Sequence, residues 1–324
     1  MAAVRIGENP AKSETTARSD ASIRVVVPVY IPDLTGYFAD AGAILGLCLD
    51  SLVATSGSET RVTVVANACA PEVVATLAER QGRGLIDQLV ISHDNLGKVD
   101  GFLAGARSSW EPVVVVSDAD VLWRSGWQQA VVAIFAAFPE CGIVGASPAP
   151  NLATYATSAT VLDGLARREV SRRSVVDPVD LERFAASVGT PDLFAGHEAS
   201  QLVVERGTAT ALVGAGHFAC GFRRAALDDV APGPCLGWER ESLDLPLDVA
   251  GWWRLATPEA FALHLGNVVE SWMTDELESQ RSPDRPDRIA LAEVSPGRPS
   301  RMGAVPMAIR DRVSVRAARR VSGS

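Results

Sequence analysis

Lysine is nearly missing from this chain. Lys12 and Lys98 are the two lysines among 30 basic residues, so arginine carries the rest of the positive charge. Against that background a lysine marks a place where a compact point charge is wanted in place of a planar guanidinium. Lys12 falls in a polar leader and Lys98 in the patterned part of the chain. Cysteine is scarce too. The five cysteines (Cys48, Cys69, Cys141, Cys220, Cys235) are odd in number, scattered and without a C-x-x-C pair, which argues against a disulfide framework or a zinc cluster and leaves them as small apolar residues. No apolar run reads as the roughly 18 residues of a membrane span, and the polar N-terminus lacks the apolar centre of a signal peptide, so a cytoplasmic location is expected. A net charge of −9 argues against nucleic acid as a partner and requires any anion site to be built locally. There are no internal repeats.

What remains is an ordinary globular composition, 47% hydrophobic and 21% charged over 324 residues, enough for one large α/β domain or two modest ones. Residues 1–21 read as a flexible leader. Apolar strands over 23–29, 61–67 and 85–92 alternate with helical patterns over 36–54, 71–80 and 98–108, followed by the run Val113-Val114-Val115-Val116, a helix over 127–138 and a strand over 142–146. This alternation specifies right-handed βαβ units and a doubly wound sheet, with 22–146 as a first half and 147–275 as a second, smaller one. In the second half, helical patterns are expected over 161–173 and 177–188 and strands over 208–214 and 252–256. Residues 276–324 form a Pro/Arg-rich tail, expected to be extended or disordered. Its Arg301, Arg310, Arg312, Arg316, Arg319 and Arg320, against Asp311 alone, form a patch that can attract an anionic membrane surface.

The valine run enters Ser117-Asp118-Ala119-Asp120. A continuous β-branched run is a strand covered on both faces, and ligands of a parallel α/β sheet bind in the crevice beyond its strand ends. Two carboxylates one residue apart at that place suit a divalent cation that keeps open positions for phosphates. This points to a metal-dependent enzyme using a nucleotide diphosphate; the alternative is that Asp118 and Asp120 cap a loop or helix. Lys98 follows Asn95 and Gly97 at a helix start, where backbone N–H groups and the helix dipole favour anions, and it is either a phosphate contact or a solvated side chain. Tyr30, after Pro28 and Val29 at the first strand end, either packs on a base or ribose or packs the sheet edge. Asn67, ending the second strand, can donate to and accept from a base edge.

Five places taken together carry a family resemblance: Val26-Val27-Pro28-Val29-Tyr30, Asn95-Leu96-Gly97-Lys98, Ser117-Asp118-Ala119-Asp120, Cys220-Gly221-Phe222-Arg223-Arg224, and Glu241-Ser242-Leu243-Asp244-Leu245 with Pro258-Glu259-Ala260 and His264 beyond. In their order and spacing the chain resembles the GT-A fold glycosyltransferases, glycosyltransferase family 2 above all, over about residues 23–268. The resemblance implies a nucleotide-sugar donor, a hydroxyl acceptor, Mn²⁺ or Mg²⁺, and inversion at the anomeric carbon. It places Pro28, Val29, Tyr30, Asn67, Lys98 and Asp118 at the nucleotide, and Asp118, Asp120 and His264 at the metal. Gly216, His217 and Trp238 would lie beside the sugar or acceptor. The family's acidic pair supplies a general base; here Glu241-Ser242 stands in the best local match, so Glu241 is the first choice, with Asp244 and Glu239 behind it. Two departures matter. The second strand ends Val65-Ala66-Asn67, without the family's base-reading Asp, and Ser242 replaces the usual catalytic Asp. They keep open a retaining mechanism that needs no such base, and an inactive homologue acting as a binding or scaffold protein. A sugar-phosphate nucleotidyltransferase is a weaker alternative, since its Gly-rich segment after the first strand is missing. Residues 147–210 carry no motif and would shape the acceptor pocket or a homo-oligomer contact.

Overall fold

The protein is described by a computed structural model that covers residues 7–9, 12–13, 20–281 and 293–321. Most of the expected leader, and residues 282–292 of the tail, lie outside these described residues.

The expected βαβ alternation is present. It runs β1 (Ile23–Val29), α1 (Ala41–Thr55), β2 (Thr60–Asn67), α2 (Pro71–Gly82), β3 (Gln88–Ser92), α3 (Gly97–Arg107), β4 (Val113–Ser117), β5 (Val121–Trp123), α4 (Trp127–Ala137) and β6 (Cys141–Gly145). The second half adds α5 (Ser158–Arg167), β7 (Val170–Arg173), α6 (Pro178–Ser187), β8 (Gln201–Arg206), β9 (Ala209–Val213), β10 (Ala219–Arg223), α7 (Arg224–Val230), α8 (Leu245–Ala250), β11 (Trp253–Ala256), β12 (Ala262–His264), α9 (Ser271–Gln280) and α10 (Met307–Val321). Ten strands form one mixed sheet in the order β3-β2-β1-β4-β10-β6-β11-β9-β8-β7, while β5 and β12 pair separately. β3, β2, β1 and β4 are mutually parallel, and β10 enters antiparallel between β4 and β6.

β4 is buried along its whole length because both faces of the sheet are covered. Val25, Val27 and Val29 of β1 face a core built with Leu45, Leu49 and Leu52 of α1 and Trp127, Val131 and Phe135 of α4. Val26 and Val114 face the other way, onto Val99, Phe102 and Leu103 of α3 and Leu227 of α7. The period of two along each strand thus divides one apolar run between two helical layers. The close seat of α3 depends on Gly105, where an added Cβ would come within 2.6 Å of Val26.

The structure corrects three expectations. The helix read over 161–173 ends at Arg167, because Arg168 turns into the left-handed region (φ 62°) and the chain leaves as β7, which with β8 extends the sheet at the edge opposite β3. The tail is not extended over 307–321: α10 packs on α5, and Arg310, 1% exposed, donates to the carbonyls of Asp248 and Val249, closing the end of α8. Gly36–Thr55 is, by length and composition, apolar enough to cross a membrane; in the fold its α1 portion buries Ile44, Leu45, Cys48, Leu49 and Leu52 against the protein core.

Candidate functional site

The parallel strands β1, β2 and β4 end at a crevice of about 390 Å³, within the range of small-molecule sites of about 300–1,000 Å³. Its walls include Pro28, Val29, Tyr30, Tyr37, Phe38, Asn67, Lys98, Asp118, Asp120, Trp238 and Asn267. The turn that presents the two aspartates is fixed from several sides. Trp123 Nε1 donates to the Ser117 hydroxyl (3.0 Å), which in turn donates to the Asp118 carbonyl (3.0 Å). The Asp118 N–H donates to the Phe218 carbonyl ahead of β10 (2.7 Å), and the Asp120 carbonyl accepts from Leu265 N after β12 (2.8 Å). The carboxylates are therefore held by backbone on a rigid sheet end, the arrangement preorganisation requires.

Lys98 lies in the first turn of α3 and reaches both oxygens of Asp118, at 2.7 and 2.9 Å, and Glu239 Oε1 at 3.0 Å. Burial pulls its ammonium down, and the two carboxylates more than reverse this, holding it above its usual range. Burial pushes the Asp118 carboxyl up to about 6, against the pull of Lys98 and with added repulsion from Asp120. Asp120 has a different environment. Its Oδ1 is buried with no hydrogen-bond partner, and its Oδ2 lies 3.4 Å from His264 Nε2. The other ring nitrogen of His264 is 3.0 Å from the Ser187 hydroxyl, and the ring packs edge-on against Phe184 and Phe218. A ligating imidazole needs this kind of support to aim Nε2. Among the described residues no group of three or more His, Cys, Asp or Glu is placed to hold a metal. Asp120 and His264 therefore offer two protein donors, which fits Mg²⁺ or Mn²⁺ bound jointly with phosphate oxygens and does not fit a closed metal cage.

Tyr30, Tyr37 and Phe38 form an aromatic wall joined by edge-to-face contacts at 6.1 and 5.1 Å. Asn67 lines the crevice but is 2% exposed, and its amide is engaged in holding the loop before α3: Nδ2 donates to Asn95 Oδ1 (3.1 Å) and the Gly97 carbonyl (3.3 Å), and Oδ1 accepts from Leu96 N (2.7 Å). Its observed work is to position Lys98. Trp238, 76% exposed, forms part of the crevice lip. Asp100 of α3 holds the loop beneath it by accepting from Cys235 N and Leu236 N.

The three acids considered as bases occupy three different environments. Glu241 points to solvent on the π-helical turn Arg240–Asp244, with its side chain 63% exposed and 3.9 Å from Arg240. Glu239 is tied to Lys98; burial pushes its carboxyl up, and Lys98 more than offsets this so that it sits low. Asp244 is fully enclosed, with Arg254 in contact with Oδ1, and with Oδ2 2.5 Å from His217 Nε2 and 3.1 Å from the Tyr155 hydroxyl. Burial pushes its carboxyl up, and Arg254 and His217 bring it below the usual range. His217 does not line the main crevice; it borders a small cavity shared with Lys98 and Glu239. Gly216 precedes it in a loop anchored at Gly214 (φ 104°), where a Cβ would strike the Leu152 backbone at 2.8 Å.

Arg254 and Tyr155 were missing from the sequence expectation. Arg254 had a visible signal, a cation inside the apolar strand Trp253-Arg254-Leu255, which on a buried strand demands a buried acid. Tyr155 and the aromatic pair Tyr37 and Phe38 had none.

No family model and no curated protein matches the sequence. Among solved structures the chain is similar to the mannosyltransferase PcManGT of Pyrobaculum calidifontis, in complex with GDP-Man and Mn²⁺, at 13% identity and a TM-score of 0.45 over 96% of this chain and 78% of that one. It is similar to S. aureus TarS at 11% identity and a TM-score of 0.43, over 79% of this chain and 38% of that one. For S. aureus TarS 1-349 in complex with UDP-GlcNAc the values are 10% identity and a TM-score of 0.41, over 78% and 60% of the two chains. The first and last of these are complexes with nucleotide sugars.

Proposed function

We propose that this chain is a glycosyltransferase that moves a sugar from a nucleotide diphosphate to a hydroxyl acceptor, with divalent metal and with inversion. The observation that carries the reading is the charge arrangement at the strand ends. Lys98 is shared by Asp118 and Glu239, Asp120 repels the Asp118 carboxylate from the other side of the turn, and one buried oxygen of Asp120 is without a hydrogen-bond partner. A diphosphate would meet net negative charge there, so it binds only together with a cation. Asp120 and His264, with Asp118 beside them, would hold a Mn²⁺ or Mg²⁺ that would supply that charge.

The chain's own residues account for the rest. The aromatic wall of Tyr30, Tyr37 and Phe38, with Pro28 and Val29, suits the flat faces of a nucleoside. Lys98, in the first turn of α3, sets an ammonium beside the helix N-terminus, where both favour a phosphate.

The test is turnover. The protein is incubated with UDP-, GDP-, TDP-, CDP- and ADP-sugars, each with Mn²⁺, Mg²⁺ or chelator, and released nucleoside diphosphate is measured. Metal-dependent consumption of one donor class supports the reading. No donor consumed, with no nucleoside diphosphate stabilising the fold, contradicts it.

A further inference from the structure

We propose that His217, oriented by Asp244, takes the proton from the attacking hydroxyl; this rests on the glycosyl-transfer reading above. The geometry excludes the acids in turn. Glu241 faces solvent, Glu239 is engaged with Lys98 at 3.0 Å, and Asp244 is 0% exposed with both oxygens occupied. His217 has the opposite disposition. Its side chain is 29% exposed, its Nε2 is fixed 2.5 Å from Asp244, and its Nδ1 has no partner among the described residues. A carboxylate on one ring nitrogen sets the tautomer, placing the hydrogen on Nε2 and the lone pair on Nδ1. Asp244 is held in turn by Arg254, whose Nη2 donates to the Ala215 carbonyl (2.8 Å) two residues before His217. Ring, carboxylate and loop thus form one locked unit.

The unit adjoins the donor site. His217 shares its cavity with Lys98 and Glu239, and the next residue, Phe218, accepts from the Asp118 N–H. In the reaction the acceptor O–H bond breaks and its proton passes to Nδ1. The oxygen lone pair forms the bond to the anomeric carbon, and the anomeric C–O bond to the diphosphate breaks with its electron pair leaving on the diphosphate oxygen. The imidazolium so formed faces Asp244 and Glu239, with Lys98 across the cavity and Tyr155 and Arg254 behind Asp244, and it returns its proton to solvent through its exposed edge.

The experiment compares wild type with His217→Gln, His217→Ala and Asp244→Asn, following release of nucleoside diphosphate from the donor that the wild type consumes. Binding of nucleoside diphosphate with Mn²⁺ is measured in parallel by thermal shift. His217→Gln keeps a group able to bond Asp244, so a fold defect and a lost base are separable. The expected result is a rate at least about 100-fold lower in both His217 variants with nucleotide binding retained, and partial rescue of His217→Ala by imidazole. A His217→Gln rate within about threefold of wild type overturns this assignment while leaving the transfer reading intact. A wild type that neither consumes a donor nor binds a nucleoside diphosphate overturns both.

Discussion

Replacing Arg254 by methionine will destabilise the protein by about 3–5 kcal/mol, because it leaves the Asp244 charge buried without its cation. Arg254 and Asp244 are both 0% exposed and in direct contact. The guanidinium also donates to the Ala215 carbonyl and lies 5.5 Å from the Tyr155 ring. Methionine keeps much of the volume, so packing loss is small and the electrostatic cost dominates. His217 and Tyr155 still hold Oδ2, which sets the expectation at the lower end, about 3 kcal/mol. The exposed pair Arg240–Glu241, 3.9 Å apart, is the control: Arg240→Ala will cost no more than about 1 kcal/mol. Urea denaturation with linear extrapolation reads both, provided m is unchanged. The pH dependence has a definite sign. In the wild type the Asp244 carboxyl is held low, so its contribution is present above the unfolded value of about 3.9 and is lost as pH falls through the folded value. Without Arg254 burial raises that carboxyl, and the deficit of the variant grows as pH rises from about 4 toward neutrality. Adding Asp244→Leu removes the stranded charge, and the double variant will be more stable than Arg254→Met alone. An Arg254→Met protein within about 1 kcal/mol of wild type, at unchanged m, would refute the argument.

Three further outcomes follow from the same geometry. Lys98→Met sets Asp118 and Glu239 against each other without their shared ammonium, and thermal-shift titration will show nucleoside diphosphate binding weakened even at saturating Mn²⁺. Gly105→Ala drives a Cβ to 2.6 Å from Val26 and 3.1 Å from Thr63, separating α3 from β1; urea denaturation will give a loss of about 1–3 kcal/mol. Glu241→Gln will leave both stability and the rate of donor consumption unchanged within about 0.5 kcal/mol, since the side chain faces solvent.

The first half of the fold was legible because its strands are continuous β-branched runs buried on both faces and its helices lie between them at regular spacing. The crevice was legible for the same reason: the valine run of β4 ends at Asp118, and a lone Lys98 stood out against an arginine background. The facing of the acidic segment was not legible, because its local geometry departs from an α-helix. Arg240–Asp244 is a π-helical turn, whose i to i+5 pattern shifts which residues share a face, so Glu241 turns outward while Asp244 turns in. β5 and β12 have three residues each, too few for a period of two to register. α10 was hidden by arginines that read as a solvated tail, although Arg310 is a buried cap to α8 carbonyls.

With Asp120 and His264 as donors to a cation beside Asp118, a nucleoside diphosphate and a divalent metal should bind only together. Isothermal titration of UDP, GDP, TDP, CDP and ADP into wild type and Asp120→Asn, with Mn²⁺ and with chelator, tests it most directly. One nucleotide is expected to bind wild type only when Mn²⁺ is present, and binding is expected to be lost in Asp120→Asn at unchanged thermal stability. Binding that persists in chelator, or that survives Asp120→Asn with Mn²⁺, would contradict it.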